Sequence, residues 1–250
     1  MNQIVRTAAR WLVLFADPRK LRALAFLPRY WRHWIAFRAA AGSEKLYLRD
    51  SHPCLGDWVS GTPFDPHLFF QSAWLARRLA AAGSSRHVDI GSDIRMINVL
   101  SAFVPTTFLD YRPLPVSLEG LTCGSCDLLN LALPDDSVQS LSCLHVIEHV
   151  GLGRYGDPVD PEGSKKAFAS LERVVAPGGK LYLSVPVGRP RVCFNAHRVF
   201  HPGQIVEILG KLRLLEFSLI GDDARYLENQ PLEAGAAQNY GCGLFVFEKA

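Results

Sequence analysis

Short strand-like runs alternate with amphipathic helical segments along most of this 250-residue chain, and that alternation limits what it can fold into. Helical spacing is expected from about Pro66 to Ala82, where Phe69, Phe70, Ala73, Trp74, Leu75 and Leu79 follow a helical period. A short strand, His87 to Gly91, precedes a helix from about Ile94 to Phe103, and a second strand runs from Thr107 to Tyr111. A loop-rich stretch to Asp127 leads to a buried strand, Val138 to Leu144, and then a helix from about Ser164 to Val175. Pro177-Gly178-Gly179 turns the chain into a strand from Lys180 to Val185. A helix near Pro202 to Leu209 and strands from Leu214 to Ile220 and Gly243 to Glu248 complete the pattern. Such alternation predicts an α/β fold whose mostly parallel sheet is covered by helices on both faces.

In such sheets a ligand sits beyond the carboxyl ends of the strands, where the strand order reverses. The polar residues just after each strand are therefore the ones to weigh: Asp89 and Gly91, Asp110, Asp127, His145 to Asp160, and Ser184 to His197. Several of these are carboxylates, and no phosphate-loop lysine motif occurs, which favours a nucleoside-like ligand and excludes a P-loop ATPase. At 48% apolar and 20% charged residues, the chain has the composition of a globular protein rather than a disordered one. The apolar run Trp11 to Ala16 is too short for a membrane span or a cleavable leader. Six irregularly spaced cysteines do not make a disulfide framework, so a reducing, cytoplasmic compartment is expected.

Charge divides the chain unevenly. Residues 1–40 hold eight Lys/Arg against the single acid Asp17, a net of +7, which leaves the other 210 residues at −4. The expected organisation is a basic, aromatic-rich helical arm over 1–42 and a body over 43–250. Asp17-Pro18 reads as a helix start, and Pro28 stops or kinks that helix, with a second helix from Arg29 towards Ala41. Arginines interleaved with Trp11, Phe15, Trp31, Trp34 and Phe37 suit the interface of an anionic membrane or a protein partner. Nucleic acid is disfavoured, because the acidic body would repel phosphates.

The body resembles the class I S-adenosylmethionine-dependent methyltransferases over roughly residues 45–205. The resemblance rests on Val88-Asp-Ile-Gly-Ser92, Leu109-Asp-Tyr111, Leu133-Pro-Asp-Asp-Ser137, Cys143-Leu-His-Val-Ile-Glu-His-Val150 and Ala176-Pro-Gly-Gly-Lys180. A narrower similarity to the DUF268 family rests on Phe64-Asp-Pro-His67, Gly151 to Pro158 and Phe194-Asn-Ala-His-Arg198. The resemblance implies a Rossmann-like class I methyltransferase fold, a mostly parallel seven-stranded sheet with helices on both faces, preceded by the basic arm. It implies S-adenosylmethionine as cofactor. Asp89 and Gly91 would form the turn that meets its methionine part, Asp110 would accept from the ribose hydroxyls, Asp127 and Leu128 would hold adenine, and His145 would line the methionyl end. The family's loop reads acid-x-Gly-x-Gly-x-Gly, whereas this chain carries Asp93 and Arg95 at its last two glycine positions. If the Asp93 position needs a positive φ, aspartate is among the less costly non-glycine residues there.

Other motifs carry less. His145-Val-Ile-Glu148-His149 matches a zinc-protease pattern in letters, but it follows a strand directly, so no metal is assigned. Cys123-Gly-Ser-Cys126 lacks a second cysteine pair for zinc, and a redox role is conceivable on spacing alone. Residues 148–162 are unusually polar, and read functionally they form the acceptor site, with Tyr155 or Asp157 as a candidate base. Asn195 and His197 are expected to face the same space, and His197 is the most natural base, since an unperturbed imidazole titrates near neutrality. Asp65 and His67 could form a lid, or Asp65 could cap the helix that Pro66 opens. The expectation is a methyltransferase for a small-molecule or glycan-type acceptor, cytoplasmic and membrane-associated. Its rivals are a non-catalytic scaffold of the same fold and a relative binding a nucleoside or sugar-nucleotide.

Overall fold

The structure is a computed structural model that describes residues 22–40, 42 and 44–250. The chain divides into two compact units between Pro63 and Phe64, further along than the boundary expected after residue 42. The helix start expected at Asp17-Pro18 lies outside the described residues.

In the first unit a 3-10 turn, Arg22–Phe26, runs into α1 (Leu27–Ala40). Pro28 does not end the helical run. It sits in the first turn of α1, where its missing N–H removes no helical hydrogen bond. None of α1's residues is buried. A small cluster of Ala23 and Leu55, flanked by Leu24, Phe26, Leu27 and Tyr30, gives the unit its apolar centre. The Arg29 guanidinium lies 3.8 Å over the Trp58 ring.

The second unit opens with α2 (Pro66–Ala82), started by Asp65, whose carboxylate accepts the Leu68 N–H at 3.1 Å. Gly83, at φ +61, ends it. There follow β1 (His87–Ile90), α3 (Ile94–Leu100), β2 (Thr106–Asp110), β3 (Leu121–Ser125) and β4 (Val138–Leu144). Next come α4 (Gly163–Val174), β5 (Val175–Val187), the hairpin strands β6 (Arg191–Cys193) and β7 (His197–Val199), and α5 (Pro202–Ile208). The chain closes with β8 (Leu212–Ile220), β9 (Tyr226–Leu227), α6 (Leu232–Ala236) and β10 (Gly241–Lys249).

Eight strands form one sheet in the order β3-β2-β1-β4-β5-β10-β8-β9, one more than the seven expected. The additional strand, β9, is a two-residue edge pairing too short for any periodicity to announce. β3, in the stretch read as loop, pairs parallel to β2 along five residues. The five strands from β3 to β5 are parallel, and β10 runs antiparallel between β5 and β8.

Alternate residues of β10 show why the sheet is covered twice. Phe245 and Phe247 join Phe168 and Leu171 of α4 and Ile205 of α5 on one face. Leu244 and Val246 join Trp74 and Leu75 of α2 and Ile97 of α3 on the other. Each fully buried side chain of this size contributes about 1.5–3 kcal/mol. The chain winds outward from β1 through β2 to β3, then returns to place β4 on the opposite side of β1. The strand order therefore reverses between β1 and β4, and a crevice opens at their carboxyl ends. Among the described residues no helix is long and apolar enough to cross a membrane.

Candidate functional site

A buried polar chain bolts the ends of β1 and β4 together beneath that crevice. The Asp89 carboxylate, wholly buried, accepts the Ser92 N–H at 3.0 Å, the Ser92 hydroxyl at 2.7 Å and the Ser142 hydroxyl. Ser92 Oγ in turn accepts the Leu144 N–H at 3.0 Å. His87 continues the chain, with Nε2 2.8 Å from Ser142 Oγ and Nδ1 2.9 Å from Ser140 Oγ. Burial pushes His87 down to about 4, so the ring is neutral at pH 7. Because Ser142 gives its proton to Asp89, His87 donates from Nε2 and accepts at Nδ1. Asp89, expected to meet the cofactor, thus lies under the site and shapes the turn above it.

Burial also lifts the Asp89 carboxyl from 3.8 to about 6, against the lowering effect of the serine hydrogen bonds. A carboxyl with a raised folded pKa contributes stability that is fully present below its unfolded value and lost as pH rises through the folded one. The window is therefore pH 4 to 6, and two pKa units correspond to about 3 kcal/mol. Urea melts of the wild type and Asp89→Asn at several pH values should show the wild type's advantage shrinking by an amount of that order across the window. A difference independent of pH would mean that Asp89 titrates at its ordinary value.

Above this chain, one pocket gathers Gly91, Asp110, Asp127, Leu128, His145 and Tyr155, with Asp157 at its wall. Gly91 has φ +67, and a Cβ there would lie 3.2 Å from Val146 Cγ1 and 3.5 Å from Asp110 Oδ2. The missing side chain leaves a cradle between β1 and β4 that any other residue would fill. At the end of β2, Asp110 accepts the Arg112 N–H on Oδ1 at 2.7 Å and turns Oδ2 towards Gly91. Asp127 accepts the Leu129 N–H at 2.9 Å, beside buried Leu128.

Asp93 does not need a left-handed backbone. At φ −61 it is the N-cap of α3, accepting the Arg95 N–H at 2.8 Å and pairing with the Arg95 guanidinium. Asp93 and Arg95 thus satisfy each other, and neither lines the pocket. Cys126 does line it, but burial and then Asp110 push its thiol up to about 12, which removes the basis for a redox reading.

The loop after β4 covers the pocket differently from expectation. Both Asp157 oxygens are engaged by backbone, Oδ2 by Gly151 N–H at 2.9 Å and Oδ1 by Tyr155 N–H at 3.0 Å. Asp157 therefore braces the loop while also standing in the pocket wall. Tyr155 is flanked by two guanidiniums, Arg112 at 4.3 Å and Arg154 at 5.1 Å from its ring. His197, on β7, lies outside the pocket lining and packs its ring 4.9 Å from Tyr240. Asn195 donates to the Leu152 carbonyl at 3.3 Å instead of facing a ligand.

Two pocket residues receive no role from the sequence, Arg112 and His149. The His149 Nδ1–H donates to the Ala196 carbonyl at 2.6 Å, which leaves Nε2 as the basic atom, 3.3 Å from an Arg154 guanidinium nitrogen and 3.7 Å from Glu148 Oε1. Burial lowers its pKa, Glu148 raises it less, and the ring is neutral. The only signal for it is the His145-to-His149 pattern, and that segment is a 3-10 turn, Ile147–His149, rather than the long helix a zinc protease would need. His145 has φ +56, a conformation unusual for a residue with a side chain, and its Nδ1 meets Glu148 Oε1 at 2.6 Å.

Solved structures share this architecture. One, named as a putative sarcosine dimethylglycine methyltransferase from Galdieria sulphuraria, has 14% identity and a TM-score of 0.51, covering 73% of this chain and 86% of its own. The YcgJ protein from Bacillus subtilis has 12% identity and a TM-score of 0.51, covering 73% and 99%. The [4+2]-cyclase SpnF has 14% identity and a TM-score of 0.50, covering 71% and 80%. The second unit has the Rossmann-like class I methyltransferase fold. A family model described as Caenorhabditis protein of unknown function, DUF268, matches residues 135–239, less than half of the chain. No curated protein matches the sequence. Since one relative in fold is named as a cyclase, the fold by itself does not fix the reaction.

Proposed function

We propose that the protein is an S-adenosylmethionine-dependent methyltransferase acting on a small-molecule or glycan-type acceptor. The observation that carries this reading is the convergence of Gly91, Asp110, Asp127 and Leu128 around one pocket at the reversal point of the sheet. The residues present fit the cofactor. The cradle at Gly91 admits its amino-acid part close to backbone, Asp110 Oδ2 is placed to accept from ribose hydroxyls, and Leu128 offers an apolar surface beside Asp127 for adenine. When bound, the cofactor supplies an electrophilic methyl group on a sulfonium.

The chain's own part is to align the acceptor and take its proton. Alignment supplies much of the rate in such a displacement. His149 is the base that the pocket favours: it lines the pocket and its Nδ1 is fixed by Ala196, while Nε2 lies 3.3 Å from the Arg154 guanidinium, which must swing aside for an acceptor to reach it. Tyr155, close to both Arg112 and Arg154, packs edge-on against His149 with ring centroids 5.8 Å apart. Calorimetric titration with S-adenosylmethionine and S-adenosylhomocysteine tests the reading. Micromolar binding of both is expected, and no binding at millimolar ligand, in protein shown to be folded, overturns it. Once an acceptor is found, His149→Gln should keep donor affinity and lose about 100-fold or more in methyl transfer.

The arm enters the same proposal as a contact with anionic membrane. Arg32 and Arg38 are exposed on α1 beside exposed Ile35 and Phe37, a pairing of charge with apolar surface that suits a lipid interface. Co-sedimentation with phosphatidylserine vesicles is expected at low salt and should be lost at high salt or with neutral vesicles. Protein that stays in the supernatant under all three conditions would remove this part of the reading.

A further inference from the structure

We propose that His67, His145 and Cys242 bind a transition-metal ion of the zinc class, at a site that shares His145 with the pocket's lining but draws its other ligands from outside it. The three residues come from the first turn of α2, the residue after β4 and the start of β10. Each offers one ligand atom, and these atoms all lie within 4.8 Å of one another. His67 stacks on His145 with ring centroids 5.3 Å apart.

Three independent features point to an ion there. The first is the orientation of His145. Its Nδ1 is held by Glu148 Oε1 at 2.6 Å, so the atom left for a metal is Nε2, which is buried and faces the Cys242 thiol rather than any other polar group. A carboxylate that fixes one ring nitrogen while the other meets a metal is the usual second layer of a zinc site. The second is charge. Glu148 is wholly buried and its Oε2 lacks a partner. A divalent ion with the Cys242 thiolate and the Glu148 carboxylate sums to zero, so the occupied site would be neutral overall. The third is chemistry. Cys242 is fully buried, with a weak 3.9 Å contact from Sγ to the Gly243 carbonyl and its thiol facing His145. One thiolate and two imidazoles select zinc-like ions over calcium or magnesium, and three protein ligands leave a fourth position for water.

His149, the other histidine of the pattern that begins at His145, is not part of this cluster. Its Nδ1 is committed to the Ala196 carbonyl. The ligands come from residues far apart in sequence, which is why no spacing rule detects them.

The test uses the full chain, stripped by chelator and dialysed, then titrated with Zn²⁺ and separately with Co²⁺. One ion per chain is expected, and the cobalt form should show a thiolate-to-metal charge-transfer band in the near ultraviolet. Cys242→Ser should lose that band, while Cys54→Ser, at an exposed cysteine, should keep it. His67→Gln, at a partly exposed position, should fold normally and bind far more weakly. Glu148→Gln should weaken zinc about 10–100-fold. No stoichiometric ion in folded wild type, or a band that survives Cys242→Ser, overturns the proposal. Neither result depends on whether the neighbouring pocket binds S-adenosylmethionine.

Discussion

Replacing Asp110 by alanine is expected to weaken S-adenosylhomocysteine binding about 100-fold while leaving the fold intact. The carboxylate stands at the end of β2, half-buried, with Oδ1 committed to the Arg112 N–H at 2.7 Å. Oδ2 is turned towards the Gly91 cradle, where ligand hydroxyls would meet it. A hydrogen bond to a charged group contributes about 1.5–3 kcal/mol, and 1.4 kcal/mol is tenfold in affinity, so two such bonds lost together account for the expected size. The effect on stability should be small, because the Arg112 N–H is near solvent and water can replace the lost acceptor. Asp110→Asn separates charge from geometry. It keeps one acceptor oxygen and should lose about tenfold, between the wild type and alanine. Calorimetry with thermal melts of all three proteins checks this. Unchanged affinity in Asp110→Ala would place the ribose elsewhere and remove the main support for the cofactor assignment.

Much of this architecture is readable before folding, for local reasons. α2 starts at Asp65-Pro66 because a side-chain cap and a proline in the first turn are local signals, and both act as expected. β4 is a run of buried residues flanked by breakers, and it occupies the expected span, Val138–Leu144. β3 is different. Leu121-Thr-Cys-Gly-Ser125 is partly exposed and contains a glycine, so neither alternation nor hydrophobicity marks it, and only its pairing with β2 makes it a strand. The site divides in the same way. Gly91 and Asp110 are legible because each stands at a strand end that can be located, whereas Asp127 and Leu128 follow the unmarked β3 and are legible only through the resemblance. The place of Asp89 beneath the turn is not legible, since the sequence shows a carboxylate but not which way the strand points it. His149 and Arg112 are hidden because a 3-10 turn and a loop aim their side chains, and neither has a period to read. The gathering of His67 with His145 and Cys242 depends wholly on β10 returning to the middle of the sheet.

The loop above the pocket should prove rigid by construction, and Gly151→Ala is the substitution that shows it. Gly151 has φ +76, where a Cβ would lie 2.1 Å from the Asp160 carbonyl oxygen. That contact is between backbones, so no side chain can swing aside to relieve it. Its own N–H meets Asp157 Oδ2 at 2.9 Å, and its carbonyl accepts the Asp160 N–H at 3.0 Å, so the loop is tied at its base by this residue. Gly156 provides the comparison. It has φ +85, equally left-handed, but nothing lies within 4 Å of a Cβ placed there. Gly156→Ala should therefore cost only the left-handed penalty, about 1–2 kcal/mol. Gly151→Ala carries the same penalty plus the clash, and its total should reach about 4 kcal/mol, the range reserved for strain at a constrained backbone position. Opening the loop would also release Asp157 and with it Tyr155, so S-adenosylhomocysteine affinity should fall in Gly151→Ala and stay near wild type in Gly156→Ala. Urea melts and calorimetry on the two variants separate these effects. Equal losses of stability would show that the loop yields at Gly151, and a loop that yields there could not hold Tyr155 between Arg112 and Arg154 as a fixed wall of the pocket.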